Sequence, residues 1–273
     1  MTRDMATTSG GPTPTRGKIE YVIFDLDGLM IDSERIYTDV TNQILAEYGK
    51  EMTWDIKAGL MGKPEKDAAM HLLSFFPDIP LSLHTYLTTR DKIQNELWPT
   101  VQPLPGIPRL ISHLHANSIP FAIATGTRRS NFALKTSHLE KEIFWMFGER
   151  VICGDDDMLI KEGGGRVRGK PHPDIFLVAA RDLLDRKVGR GEVAEGSVGD
   201  EEKTERAKGL VFEDAIPGVQ AGKAAGMHVV WVPDSGLLNV EYSDSLHPPD
   251  QTLKSVEQFV PEEWGLPPYP PSS

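Results

Sequence analysis

A single cysteine, Cys153, occurs in 273 residues. That excludes an internal disulfide and any thiolate metal cluster, and it fits a reducing compartment. Cys153 itself reads as a small buried apolar residue rather than a nucleophile. No run of about 18 apolar residues is present, so no segment reads as a membrane-spanning helix. Positive charge is also short: 29 Lys and Arg against 40 Asp and Glu leave a net charge of −11. This balance argues against nucleic acid or an anionic membrane surface as the main partner. An acidic chain can still bind phosphate, but only through a local cluster of cations or backbone N–H groups. No internal repeat is found, and the acidic surface without coiled-coil heptads makes a monomer the expectation; the reducing compartment expected is the cytosol. Residues 1–17, "MTRDMATTSGGPTPTRG", lack an apolar segment and read as a disordered tail rather than a signal peptide.

What is present is an alternation. Short apolar runs at Ile19–Phe24, Phe121–Ala124, Val151–Ile152, Leu210–Phe212 and His228–Val232 predict buried parallel strands. Helical patterns separate them at Ile107–His115, Ile175–Leu184 and Pro217–Ala225. Such alternation implies an α/β fold with a doubly wound, Rossmann-like parallel sheet. Between the first two strands lie residues that break the pattern. In "DSERIYTDVTNQILAEYGK" the positions Ile36, Val40, Ile44, Leu45 and Tyr48 recur at helical spacing, with Gly49 as a stop. Three more helical stretches follow, the second of them starting at Pro64. Residues 33–102 therefore form an inserted small helical bundle, and 18–32 with 103–273 form the core. "PLPG" at 103–106 is the return hinge. Residues 185–209, charged and Gly-rich without periodicity, read as a flexible surface loop. The Pro-rich end, "EEWGLPPYPPSS", is expected on the surface.

Ligands of an open parallel sheet bind beyond the carboxyl ends of its strands, so residues just after each apolar run carry the information. The first run ends in Asp25 and Asp27, the second in Thr125 and Gly126, and a later one in Glu213 and Asp214. "GKPHPDIF" adds Lys170 before the next helix. Charge then decides between readings. Carboxylates about 4 Å apart repel by roughly 4 kcal/mol per pair at an effective dielectric of 20, so four of them would reject a phosphate dianion. A divalent cation, together with Lys170, reverses that sign. Oxygen ligands without His or Cys favour Mg²⁺ over zinc. The pattern fits a small phosphate ester bound with Mg²⁺.

"DLDGLMIDS", "ATGT", "GKPHPDIF" and "VFEDAIPGVQAGKAAGM" resemble, in order, the four motifs of the haloacid dehalogenase superfamily of phosphatases and phosphomutases. The helical insert resembles that superfamily's small cap. The resemblance implies Asp25 as the nucleophile that forms an aspartyl-phosphate, and Asp27 as general acid and then base. Asp27 would need a raised pKa from its acidic neighbours to hold a proton near neutrality. Asp25, the backbone carbonyl of Asp27, and Asp214 would ligate Mg²⁺, with Glu213 a direct or an outer ligand. Thr125 and the N–H of Gly126 would hold phosphate oxygens, and Lys170 would neutralise charge during transfer. Stretches in the cap and tail, "WDIKAGLMGK" and "FVPEEWGLPPY" among them, are similar to the branch that hydrolyses pseudouridine 5′-phosphate. Alternatives are a β-phosphoglucomutase-like isomerase, a sugar or glycerol phosphatase, and a non-catalytic phospho-accepting domain.

Other residues have blander expectations. Asp32 and Ser33 are expected to cap the first cap helix, and Arg128 and Arg129 to form a solvated turn. Asp155 to Asp157 read as a turn, His113 and His115 as structural residues, and His172 as loop filler. Lys63, between Gly62 and Pro64 at a cap junction, is a candidate substrate contact.

Overall fold

The computed structural model describes residues 16, 18–60, 65–160, 167–190, 198–236 and 247–271. Lys63 lies outside them, as does the expected tail apart from Arg16.

Among the described residues, six parallel strands form one sheet: β1 (Tyr21–Phe24), β2 (Phe121–Ala124), β3 (Val151–Ile152), β4 (Gly209–Glu213), β5 (His228–Trp231) and β6 (Gln251–Thr252). Their order is β3-β2-β1-β4-β5-β6, the expected doubly wound arrangement. β1 is central, with Val22 opposite Phe121 on one side and Leu210 on the other. Its residues are apolar without interruption because both faces of the sheet are covered. Val22 and Phe24 enter one core cluster, and Tyr21 and Ile23 enter the other. The expected strands are present with shifted ends. Glu213 is the last residue of β4 rather than the first after it, and its backbone is fixed by the ladder. β6 was not anticipated, because two residues cannot display an apolar period.

The cap comprises α1 (Ser33–Ala46), α2 (Trp54–Leu60), α3 (Glu65–Ser74) and α4 (Leu83–Leu97). α1 buries Ile36, Val40, Ile44 and Leu45, the expected face. Ser82 Oγ caps α4 by accepting the Thr85 N–H at 3.1 Å. The cap shares one apolar cluster with a face of the sheet, through residues such as Ile36, Leu72 and Trp98. α5 (Ile107–Ala116) and α6 (Arg129–Thr136) flank β2, while α7 (Asp174–Val178) continues as a π turn over Ala179–Leu183. α8 (Asp200–Arg206) and α9 (Ile216–Ala224) flank β4. None of the described helices is long and apolar enough to cross a membrane.

Two expectations are corrected. Residues 185–209 are not a loop throughout, since α8 lies within them and Val188, Val198 and Arg206 are buried. Asp200, Glu201 and Glu202 occupy the first turn of α8, where carboxylates suit the helix N-terminus, and Arg206 Nε donates to the Val188 carbonyl at 2.6 Å. Residues 191–197 of that segment lie outside the described ones. The C-terminal stretch is likewise not a surface tail, because Trp264 and Leu266 join the core cluster. Trp264 Nε1 donates to Gln251 Oε1 at 3.2 Å, and Tyr269 stacks beneath the Arg109 guanidinium. Arg16 is tied to the same region by Glu263 at 2.9 Å.

Candidate active site

The Asp25 N–H donates to the Phe212 carbonyl at 3.1 Å, continuing the β1–β4 pairing one residue past β1. The chain then turns at Gly28, whose φ of +77° is left-handed. A Cβ there would lie 2.3 Å from Asp214 Oδ2, so only glycine lets the two acidic loops approach. This brings Asp25 and Asp214 together.

Lys170 Nζ donates to Asp25 Oδ1 and, at 2.5 Å, to Glu213 Oε1. The other oxygen of Glu213 accepts the N–H groups of Asp214 at 3.1 Å and Ala215 at 3.3 Å. Gly218 leaves room for this carboxylate; a Cβ there would lie 1.9 Å from its Cδ. Glu213 is thus engaged at both oxygens and holds Lys170 and the Asp214 loop in place. Asp214 differs: its buried carboxylate receives no hydrogen bond from the described residues. Oxygens of Asp25, Glu213 and Asp214 lie within 4.8 Å of one another. Burial, against the pull of Lys170 and with the push of Glu213, raises Asp25 to about 7. Burial and the charges of Glu213 and Asp25 raise Asp214 well above the usual carboxylate range. Three buried carboxylates facing one ammonium, one of them without a donor, fit a hard divalent cation with oxygen ligands.

Asp27 faces elsewhere. Its Oδ1 accepts Lys135 Nζ at 2.6 Å, and its Oδ2 accepts the Thr127 hydroxyl. Lys135 is wholly buried. It also donates to Tyr37 Oη at 2.9 Å and lies 4.3 Å from the centre of the Trp98 ring. Burial would raise Asp27, but the Lys135 charge and the hydrogen bonds from Lys135, Thr127 and Ser33 outweigh it and hold its pKa low. The expectation of a raised Asp27 is therefore reversed. Its neighbouring acids turn toward Lys170, while Asp27 has a lysine of its own.

Thr125 is buried, with its Oγ1 accepting the Thr127 N–H at 3.1 Å, and Gly126 is open, with nothing within 4 Å of where a Cβ would stand. These residues share one cavity of about 740 Å³ between the rim and the cap, lined by Asp25, Asp27, Thr125, Gly126, Lys170, Glu213 and Asp214 below and by α4 above. The expected rim residues converge. Lys135, Thr127 and Ser33 were missed, although the run "ATGTRRSNFALKT" contains two of them. Lys57, 3.5 Å from both Glu34 and Asp234, is a further unanticipated tie between cap and core.

The remaining candidates take structural places. Ser33 does not cap α1; its Oγ accepts the Gly28 N–H at 3.1 Å, and Asp32 pairs with Arg35 instead. Arg129 is exposed in the first turn of α6, as expected, and there pairs with Asp156 while its N–H donates to Asp155 at 2.7 Å. Arg128 is exposed at the cavity edge. His113 Nε2 lies 2.8 Å from the Pro267 carbonyl, and His115 packs edge-on to Trp145. His172 is exposed. Cys153 is buried and pushed up to about 12 by desolvation, so its thiol is inert.

The model of the haloacid dehalogenase-like hydrolases matches residues 22–232, from β1 through β5. The chain belongs to this family. It is 40% identical to "(DL)-glycerol-3-phosphatase 2" of Arabidopsis thaliana over the full length of both chains. It is 36% identical to the "Probable pseudouridine-5′-phosphatase" of Drosophila melanogaster, covering 92% of this chain and 96% of that one. Among solved structures, a family hydrolase from Deinococcus radiodurans with bound phosphate and sodium superposes with a TM-score of 0.64 at 23% identity. That match covers 88% of this chain and 93% of the other. The resemblance to pseudouridine 5′-phosphatases is thus borne out, and one to glycerol phosphatases stands beside it.

Proposed function

We propose that the protein is a Mg²⁺-dependent phosphatase that hydrolyses a phosphate monoester of a small hydroxylated alcohol through a phosphoryl-aspartate on Asp25. The observation that carries this reading is the meeting of Asp25, Lys170, Thr125, Gly126 and Asp214 on one rim of a covered cavity. Pseudouridine 5′-phosphate and glycerol 3-phosphate head the candidate substrates, after the names borne by the relatives. A cavity of about 740 Å³ accommodates either.

Asp25 and Asp214 would hold Mg²⁺ with the Asp27 carbonyl. Glu213, occupied by Lys170 and two amides, would act from behind them. When bound, Mg²⁺ supplies the positive charge that keeps these carboxylates ionised and accepts phosphate oxygens. Asp25 attacks phosphorus in line and the ester oxygen departs. Lys170, already on Asp25, lies where it can offset charge on the transferring group. Thr125 Oγ1 and the Gly126 N–H offer donors to the phosphate. The leaving oxygen takes its proton from Asp27. Because Lys135 keeps Asp27 ionised at rest, that proton must arrive with the substrate, whose second ionisation lies near 6. Asp27, left as a carboxylate, then takes a proton from the water that cleaves the phosphoryl-aspartate.

A phosphate-release screen with Mg²⁺ over pseudouridine 5′-phosphate, glycerol 3-phosphate and hexose phosphates tests the reading. Release from at least one ester, abolished by chelation, is expected. Conversion of a sugar phosphate to its isomer without net phosphate release would replace it with a phosphomutase.

A further inference from the structure

Several charged groups that line the cavity are already engaged by the chain. Asp27 has two donors, Glu213 is occupied at both oxygens, and Arg90 is held by Asp91 at 2.6 Å and by Glu65. Glu34 and Lys57 differ. Both line the cavity, Glu34 from the first turn of α1 and Lys57 from α2. Lys57 Nζ lies 3.5 Å from Glu34 Oε2, longer than an ordinary N–H···O bond, and is the only partner of that carboxylate among the described residues. The Glu34 side chain keeps 25% of its surface exposed and that of Lys57 10%, so a ligand reaches both. Asp234, also at 3.5 Å, and the Trp54 ring keep the ammonium in place. Glu34 also stands close to the acids of the rim. A Cβ on residue 28 would lie 2.3 Å from Asp214 Oδ2 and 3.1 Å from Glu34 Cγ. The pair thus belongs to the cap yet stands beside the reacting centre, where the first atoms of a leaving group must lie.

We propose that Glu34 and Lys57 form a specificity subsite for a hydroxyl of the leaving alcohol, with Glu34 accepting its hydrogen bond and Lys57 donating to its oxygen. This rests on the phosphatase reading above and narrows its substrate class. Chemistry selects the ligand group. A hydroxyl both donates and accepts, so one atom satisfies both members of the pair. An ether or carbonyl oxygen can only accept, and leaves Glu34 unmet. A second phosphate or a carboxylate meets Lys57 but faces Glu34 and Asp234. An ammonium meets those acids but faces Lys57. An alcohol without further hydroxyls covers the pair and completes neither member, so the subsite discriminates against its ester.

The test measures phosphate release with Mg²⁺ from two pairs of esters that differ only in leaving-group hydroxyls. They are glycerol 3-phosphate with propyl phosphate, and pseudouridine 5′-phosphate with its 2′,3′-dideoxy analogue. Wild-type protein should favour the hydroxylated member of whichever pair it hydrolyses. In Glu34→Leu and in Lys57→Met, the ratio of kcat/KM for hydroxylated over deoxy ester should fall about 10- to 100-fold, with the deoxy ester little changed. Glu34→Gln keeps the shape and an acceptor without the charge, and should lose about 3- to 10-fold; it carries the test if the leucine variant does not fold. The Mg²⁺ concentration for half-maximal rate should stay the same in all three. An unchanged ratio overturns the proposal. So does an equal loss on both esters, since the pair would then only tie cap to core, or a raised Mg²⁺ requirement, which would make Glu34 part of the metal site. Preference for phosphoethanolamine over glycerol 3-phosphate, lost in Glu34→Leu alone, would make the subsite one for an ammonium. Active wild-type protein without preference between paired esters defeats this inference alone, whereas wild-type protein that hydrolyses none of them defeats the phosphatase reading itself.

Discussion

Asp25 and Asp27 leave the same strand two residues apart, yet their surroundings are opposite. Asp25 lies among Glu213 and Asp214 with one shared lysine, and its pKa rises to about 7. Asp27 has Lys135 and a threonine hydroxyl to itself and stays low. Successive side chains around a turn point different ways, so two like residues can meet unlike neighbours. The Asp25 side has excess negative charge and calls for a cation from solution. The Asp27 side is balanced by the chain itself. A single stretch of sequence thus supplies two acids in opposite electrostatic settings, as the proposed division between phosphorus and proton chemistry requires.

Substitutions on the two sides should separate in size. Asp25→Asn removes the nucleophile and should lower kcat by about 10⁴-fold or more, read as phosphate release at saturating substrate. Lys170→Met should cost about 10²–10³-fold in kcat, the scale of losing one preorganised charge at a transferring group. On the other side, Lys135→Met leaves Asp27 buried and unpaired. Urea unfolding should show a loss of about 3–5 kcal/mol, with most of it regained in the double variant Lys135→Met/Asp27→Asn. Failure of the second substitution to restore stability would break the comparison.

Metal and pH sharpen it. Without metal, folded Asp25 keeps its proton up to about 7, whereas in the unfolded chain it ionises near 3.8. The folded state binds the extra proton between those values, so this group makes stability fall as pH rises from about 4 to 7. Mg²⁺ competes with that proton. The rise in Tm on adding Mg²⁺ should therefore grow from pH 5 to pH 8 in wild type, and be much smaller in Asp25→Asn. Asp27, with its lowered pKa, stabilises the fold above the ordinary aspartate range and loses that contribution only as pH drops through its folded value. The smallest effect belongs to Tyr37→Phe. It removes one hydrogen bond from Lys135 and should cost about 1 kcal/mol of stability with only a few-fold change in kcat.

The rim was legible because Asp25, Thr125 and Asp214 follow apolar runs, and a parallel sheet brings the ends of such runs together. Lys170 follows no such run and was read from its place in "GKPHPDIF", just before a helix. Lys135 did not announce itself. It lies in the last turn of α6, 108 residues from Asp27, and a lysine in a helix reads as solvated unless something buried demands it. The error on Asp27 followed from that gap: its acidic neighbours were visible in the sequence and its lysine was not. α8 was hidden for a similar reason. Its residues are almost all charged, and the contact that anchors it, Arg206 to the Val188 carbonyl, spans the segment taken for a loop.

The central claim is that Asp25, and no other acid of the rim, carries the phosphoryl group. Borohydride added during turnover reduces an acyl phosphate to an alcohol, converting the phosphorylated aspartate to homoserine. Peptide mass spectrometry should then find homoserine at position 25 in the presence of Mg²⁺ and substrate, and aspartate there when either is withheld. Homoserine at position 27 or 214, or unmodified aspartate at all three during steady turnover, would contradict the account.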